Sequence, residues 1–183
     1  GEGKTFVSVN LAISMAMELD TTVLLVDADV SRPSVLQRLG MEPAPGLLDL
    51  FSESSRSVGE VLLRTNIERL SILPAGTPSA RATELLASVQ MTRLLDDVGS
   101  RYSDRIIVFD APPLLPSTES RVLASHMGQI VVVVEAEHTS FQTVDAAMST
   151  LEACPVVLPL LNKTSRTQVG NYYGYYATEE KPT

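Results

Sequence analysis

The chain has 183 residues, enough for one domain with a sizeable core, and 44% hydrophobic with 20% charged residues is ordinary for a globular fold. A net charge of −8 and a pI near 4.7, with no cluster of Lys or Arg, argue against nucleic acid or anionic lipid as a direct partner. One cysteine, Cys154, leaves no intramolecular disulfide to form and suits a reducing cytosol, and every apolar run is far shorter than the roughly 20 residues that span a bilayer.

In chain order, Gly1-Glu2-Gly3-Lys4-Thr5 is the second half of a phosphate-binding loop and runs straight into a predicted helix, 4–18. Backbone N–H groups at such a helix start, the lysine and the threonine hydroxyl supply partners for nucleotide phosphates and Mg2+. The leading glycine of the full G-x-x-x-x-G-K-T pattern and the strand before it are absent, so the natural protein is expected to extend upstream. A continuous apolar strand, 22–26, then delivers Asp27-Ala28-Asp29 and Arg32-Pro33. Residues 31–46, rich in proline, read as loop and short helix, and 57–64 as a helix. A weaker strand, 70–73, precedes a loop at 74–79 and a long helix, 84–102. Strand 105–109 delivers Asp110 and Ala111-Pro112-Pro113; helix 117–125, strand 129–134, helix 139–152 and strand 156–161 follow.

Continuous rather than alternating apolar strands are those covered on both faces, and their alternation with helices predicts an α/β fold. The sheet is expected to be doubly wound and mainly parallel, with helices on both faces, its N-terminal strand missing from this chain, and ligands beyond the carboxyl ends of its strands. Residues 1–163 form the predicted domain, and 164–183 a flexible tail.

An aspartate after a buried strand is by itself more often a turn or cap residue than a ligand. Asp27, Asp29 and Asp110 gain weight by converging with Lys4 and Thr5 at one sheet edge, where they make a site for a polyphosphate and its metal. Mg2+ is expected on Thr5 and phosphate oxygens, with Asp110 and one of Asp27 and Asp29, the other being free to accept a proton. Arg32 reads equally as a phosphate ligand or as the counter-ion of the acidic pair. Four of the five tyrosines, Tyr172, Tyr173, Tyr175 and Tyr176, crowd the tail. As exposed phenols they read as phosphoacceptors more readily than as an adhesive patch or as stacking platforms. About nine residues separate Asn162-Lys163 from Tyr172, which at roughly 3.3 Å per residue gives the tail enough reach for its own site or a neighbour's.

With these residues assembled, the sequence resembles the bacterial tyrosine kinases, P-loop autokinases of exopolysaccharide and capsule export with a MinD/ParA-like fold, and especially the branch associated with exosortase gene clusters. Gly1-Glu2-Gly3-Lys4-Thr5 matches the Walker A end, Leu24 through Arg32 the extra Walker A′ motif, and Ile107-Val108-Phe109-Asp110-Ala111-Pro112-Pro113 Walker B. Leu73-Pro74-Ala75-Gly76 with Thr83-Glu84-Leu85-Leu86, and the tyrosine cluster, match further family stretches. Pro78 through Ala82 lacks the family's Asn-Pro.

The resemblance implies an ATP- and Mg2+-dependent autokinase that phosphorylates its own tail between subunits of a ring. It implies coupling to a transmembrane polysaccharide co-polymerase, hence a cytoplasmic protein recruited to the inner face of the membrane. Asp27 is then the base, Asp29 and Asp110 serve the metal, residues Gly1, Glu2, Gly3, Lys4, Thr5 and Phe6 cradle the nucleotide, and Asn162 lies near adenine, where a strand-ending turn is the alternative. A positioning ATPase of the MinD and ParA type, and a non-catalytic regulatory module of the export machinery, are the competing readings.

Overall fold

The computed structural model describes residues 1–51, 56–101 and 105–165. Helix α1 (Lys4–Ala16) follows directly on the glycine-rich loop. Gly3 caps it at φ 92°, a left-handed conformation that side chains resist, and a Cβ there would also run into the Asn162 side-chain amide. Ser8, Val9, Ala12 and Ala16 recur at helical spacing and form the buried stripe of α1.

Strand β1 (Thr22–Asp27) is buried from Val23 onward. Its alternate side chains serve two different cores, which is why its apolar run is continuous. Leu24 and Val26 join Leu73, Leu86, Met91 and Leu123 on one face, whereas Val23 and Leu25 join Val9, Ala12, Val35 and Ile72 on the other. After β1 come α2 (Val35–Arg38), a 3-10 helix (Leu47–Phe51), α3 (Val58–Val61) and β2 (Leu63–Arg64). Strand β3 (Leu70–Leu73), helices α4 (Ala82–Leu86) and α5 (Val89–Arg101), strand β4 (Arg105–Asp110) and helix α6 (Thr118–Ala124) follow. The described chain closes with β5 (Gln129–Glu135), α7 (Phe141–Ser149) and β6 (Val156–Asn162).

β1 is flanked in parallel by β3 and β4, and β2 adds an antiparallel edge, giving the order β2-β3-β1-β4. β5 and β6 pair in parallel as a second, two-stranded sheet, from Gln129 opposite Val156 to Glu135 opposite Asn162. The α/β architecture with mainly parallel strands and helices on both faces is therefore as expected, but the described strands fall into two sheets. Among the described residues no helix is long and apolar enough to cross a membrane.

Two expected helices differ. The segment 57–64 starts with a capping box between Ser57 and Glu60, yet the helix lasts one turn before Leu62 turns extended and Leu63 and Arg64 pair with β3. A short apolar run such as Val61-Leu62-Leu63 suits both periodicities, and the open edge of β3 decides for strand. The expected helix over 84–102 breaks at Ser88, whose hydroxyl accepts the Met91 N–H at 3.2 Å and starts α5 afresh.

The 3-10 helix is laid against the loop after β3, with the Leu47 and Leu48 N–H groups donating to the Pro74 and Ala75 carbonyls at 2.7 and 3.0 Å. A Cβ on Gly46 would overlap the Pro74 backbone, whereas one on Gly59 in α3 meets open space. Gly46→Ala is expected to lower stability by about 3 kcal/mol. Gly59→Ala is expected to raise it by about 0.5 kcal/mol. Urea unfolding midpoints of the two variants test both signs.

Candidate functional site

The ends of β1 and β4 lie side by side, so Asp27 and Asp110 sit directly opposite each other in the parallel ladder. Both are almost fully buried, at 1% and 2% exposure. Asp27 Oδ2 accepts the Ser34 and Val35 N–H groups, each at 3.1 Å, so the acid that ends β1 ties down the start of α2. Its Oδ1 and the Oδ2 of Asp110 are buried with no hydrogen-bond partner. The Thr5 and Ser8 hydroxyls, one helical turn apart on α1, lie beside the Asp110 carboxylate and favour its charged form, while the Ser8 hydroxyl donates to the Thr5 carbonyl at 3.1 Å. Thr5 Oγ1 in turn accepts the Ser34 hydroxyl at 2.9 Å. Helix α1, the loop after β1 and the end of β4 thus meet at one threonine.

Burial pushes Asp27 up to about 6, the Asp110 charge adding to it and the Val35 and Ser34 N–H groups opposing. Burial likewise raises Asp29, against the Arg32 N–H and the Lys4 and Arg32 charges. Asp110 is raised for the same reason, against the Thr5 and Ser8 hydroxyls. Three carboxylates held back from ionising in one place make a site whose free energy a cation lowers. Lys4, the nearest ammonium, pairs with Glu2 Oε2 at 2.9 Å.

Two bare buried carboxylate oxygens and the Thr5 hydroxyl are hard donors of the kind Mg2+ takes. Among the described residues no group of three or more His, Cys, Asp or Glu side chains could hold a metal alone. That donor set fits Mg2+, which usually takes one or two carboxylates and fills its other positions with phosphate oxygens and water.

The remaining expected residues fall around this point. Gly1, Glu2 and Gly3 form the loop and Lys4 opens α1, while the Phe6 side chain is 56% exposed on that helix. Arg32 is exposed and fixes Asp29 through its backbone N–H, 3.2 Å from Oδ1. Asn162 at the end of β6 donates its side-chain amide to the Glu2 carbonyl at 2.9 Å, so it reaches the phosphate loop itself. Tyr172, Tyr173, Tyr175 and Tyr176 lie outside the described residues.

Three contributors escaped the sequence reading. Ser8 could have been found three residues beyond Thr5 on the same helical face, and Ser34 as the polar residue before the apolar start of α2. Glu119, in the first turn of α6, is 9% exposed, accepts the Ser117 hydroxyl at 2.8 Å, and its charge bears on Asp29. It looked only like an ordinary acid at a helix start.

Because Asp27 is raised in the fold, it favours the folded state only while protonated, and that contribution is lost as pH rises from its unfolded value through about 6. Asp27→Asn is therefore expected to stabilise the ligand-free protein by about 3 kcal/mol at pH 7.5. At pH 4, where the folded wild type keeps its proton, the change should be close to zero. Thermal melts at the two pH values measure the difference.

Residues 1–158 match the family model described as AAA domain. The chain is 32% identical over 182 residues to the putative tyrosine-protein kinase EpsB of Ralstonia nicotianae, covering 96% of this chain and 24% of EpsB. It is 31% identical over 186 residues to the succinoglycan biosynthesis transport protein ExoP of Rhizobium meliloti, covering 98% of this chain and 23% of ExoP. The chain thus spans about a quarter of the length of these relatives. The crystal structure of the VpsO kinase domain superposes with a TM-score of 0.81 at 32% identity, covering 90% of this chain and 80% of that one. The chain belongs to the AAA domain family and, within it, to the bacterial tyrosine kinases.

Proposed function

We propose that this chain is the catalytic core of an ATP-dependent protein-tyrosine autokinase whose acceptors are Tyr172, Tyr173, Tyr175 and Tyr176. The observation that carries this reading is the register-matched pair Asp27 and Asp110, each buried with one bare oxygen, beside the helix that begins Lys4-Thr5. A nucleotide triphosphate with its metal supplies what that arrangement lacks, a polyanion for the loop and a cation for the acids.

The loop N–H groups and Lys4 bind the β and γ phosphates, Lys4 exchanging Glu2 for phosphate oxygens. Thr5, Asp29 and Asp110 hold Mg2+ directly or through its waters; the ion, when bound, neutralises charge on the phosphate oxygens. Arg32 adds positive charge at the same edge. The phenol oxygen of a tail tyrosine forms the new bond to the γ phosphorus as the bond to the β–γ bridging oxygen breaks and ADP leaves. Asp27, poised at about 6 with a free oxygen, accepts the phenol proton.

The tail of one copy is phosphorylated in the site of another within an oligomer. A transmembrane polysaccharide co-polymerase recruits and activates the kinase at the inner face of the cytoplasmic membrane, linking phosphorylation to exopolysaccharide export. The names of EpsB and ExoP support this setting.

Full-length protein incubated with Mg-ATP and its membrane partner is expected to carry phosphate on the four tail tyrosines by mass spectrometry. Lys4→Met and Asp27→Asn should each lower the rate by about a hundredfold or more. The wild-type rate should rise with pH through about 6 as Asp27 loses its proton, a limb absent from the Asp27→Asn profile. ATP hydrolysis with unmodified tyrosines would instead favour a positioning ATPase.

A further inference from the structure

The phosphate loop is gripped from the side of the two-stranded sheet. Asn162 Nδ2 donates to the Glu2 carbonyl and Lys163 Nζ to the Gly1 carbonyl, both at 2.9 Å. The same ammonium pairs with Glu135 Oε1 at 2.8 Å, and Glu135 ends β5 directly opposite Asn162 at the end of β6. The Ala136 N–H donates to the Asn162 carbonyl at 2.9 Å, which closes the ladder at this point. Lys163 stands at φ 59°, a left-handed conformation that lysine keeps only where its surroundings define it.

Peptide geometry gives these contacts a consequence. In a planar trans peptide the carbonyl of one residue and the N–H of the next point in opposite directions. Holding the Gly1 carbonyl toward Lys163 aims the Glu2 N–H away from β6, and holding the Glu2 carbonyl toward Asn162 does the same for the Gly3 N–H. Two successive amides of a phosphate loop thereby take their direction from side chains 160 and 162 positions away in sequence. The Glu135 carboxylate, kept below the usual carboxylate range by its bond from Lys163, holds the ammonium in place. The loop can therefore keep its amides aimed before any phosphate arrives, which removes an ordering cost from binding.

We propose that Asn162, Lys163 and Glu135 form a clamp of positioning residues that preorganises the phosphate loop, so that Asn162 serves the phosphate end of the nucleotide through the loop backbone. The proposal rests on the nucleotide-binding reading of that loop. It also separates Asn162 from a role confined to the base, because a clamp acts on ligands that have no base at all.

The test uses the full-length protein and displacement of a fluorescent ATP analogue by Mg-ATP and by Mg-tripolyphosphate. Lys163→Met and Asn162→Ala are expected to weaken both competitors by about tenfold, in the same ratio, as fits loss of a charge-assisted or buried hydrogen bond. Glu135→Gln should give a smaller loss of the same kind, and Lys163→Arg should recover most of the affinity. In autophosphorylation assays the KM for ATP should rise with little change in kcat. Unchanged tripolyphosphate affinity in folded Lys163→Met and Asn162→Ala overturns the clamp, and loss of ATP affinity alone in Asn162→Ala assigns that residue to the base. If Lys163→Met does not fold, Glu135→Gln and Lys163→Arg decide by the same two competitors. A parent protein that binds neither competitor overturns the nucleotide reading and the clamp together, whereas binding by the parent with indifferent variants overturns the clamp alone.

Discussion

Two carboxylates buried side by side, with too few partners, are the constraint around which this structure is arranged. Asp27 and Asp110 end neighbouring parallel strands at matched positions, so neither can turn away without breaking the ladder that holds it. Burial raises both, and each keeps an oxygen that nothing in the described chain satisfies. A fold selected for stability alone would have placed such groups in water or paired them. Their persistence makes sense where a bound cation takes one bare oxygen and a substrate proton the other.

The elements around that pair solve the problem by halves. Asp27 is half-satisfied by the backbone of the loop that enters α2, and the hydroxyls on the first turns of α1 favour the charged form of Asp110. The Ser34 to Thr5 bond then locks those two supports to each other. This leaves one face of each acid bound and the other available, the condition for a group that must be positioned and still reactive. On the far side of the loop, the β5 and β6 ends act on backbone rather than on charge. Lys4 is thus surrounded by three fixed anchors, while its own ammonium rests on nearby Glu2.

Most of the fold was legible because its signals are local. The apolar runs of β1, β4, β5 and β6 stand out for their β-branched content, and the helices between them for their spacing. The misread elements are those where local signals tie. Val61-Leu62-Leu63 fits a helix or a strand, and only the vacant edge of β3 selects strand. Ser88 is tolerable inside a helix, and only its capping bond to Met91 reveals a break. In the site, the glycine-lysine-threonine loop and the strand-end aspartates could be named from sequence, whereas Ser8 and Ser34 show only through their spacing from Thr5 and α2, and Glu119 carries no mark at all.

The sequence by itself determined the chemistry: which residues bring ammonium, hydroxyl and carboxylate groups, and that strands carry them to one edge. It did so because periodicity and strand-end position are properties of adjacent residues. Only the tertiary structure decided which aspartate oxygens stay bare, that Asp27 and Asp110 share a register, and that Asn162 and Lys163 grip loop carbonyls far away in sequence. Those outcomes depend on strand order and burial, and desolvation is a property of the packed neighbourhood rather than of any stretch of chain.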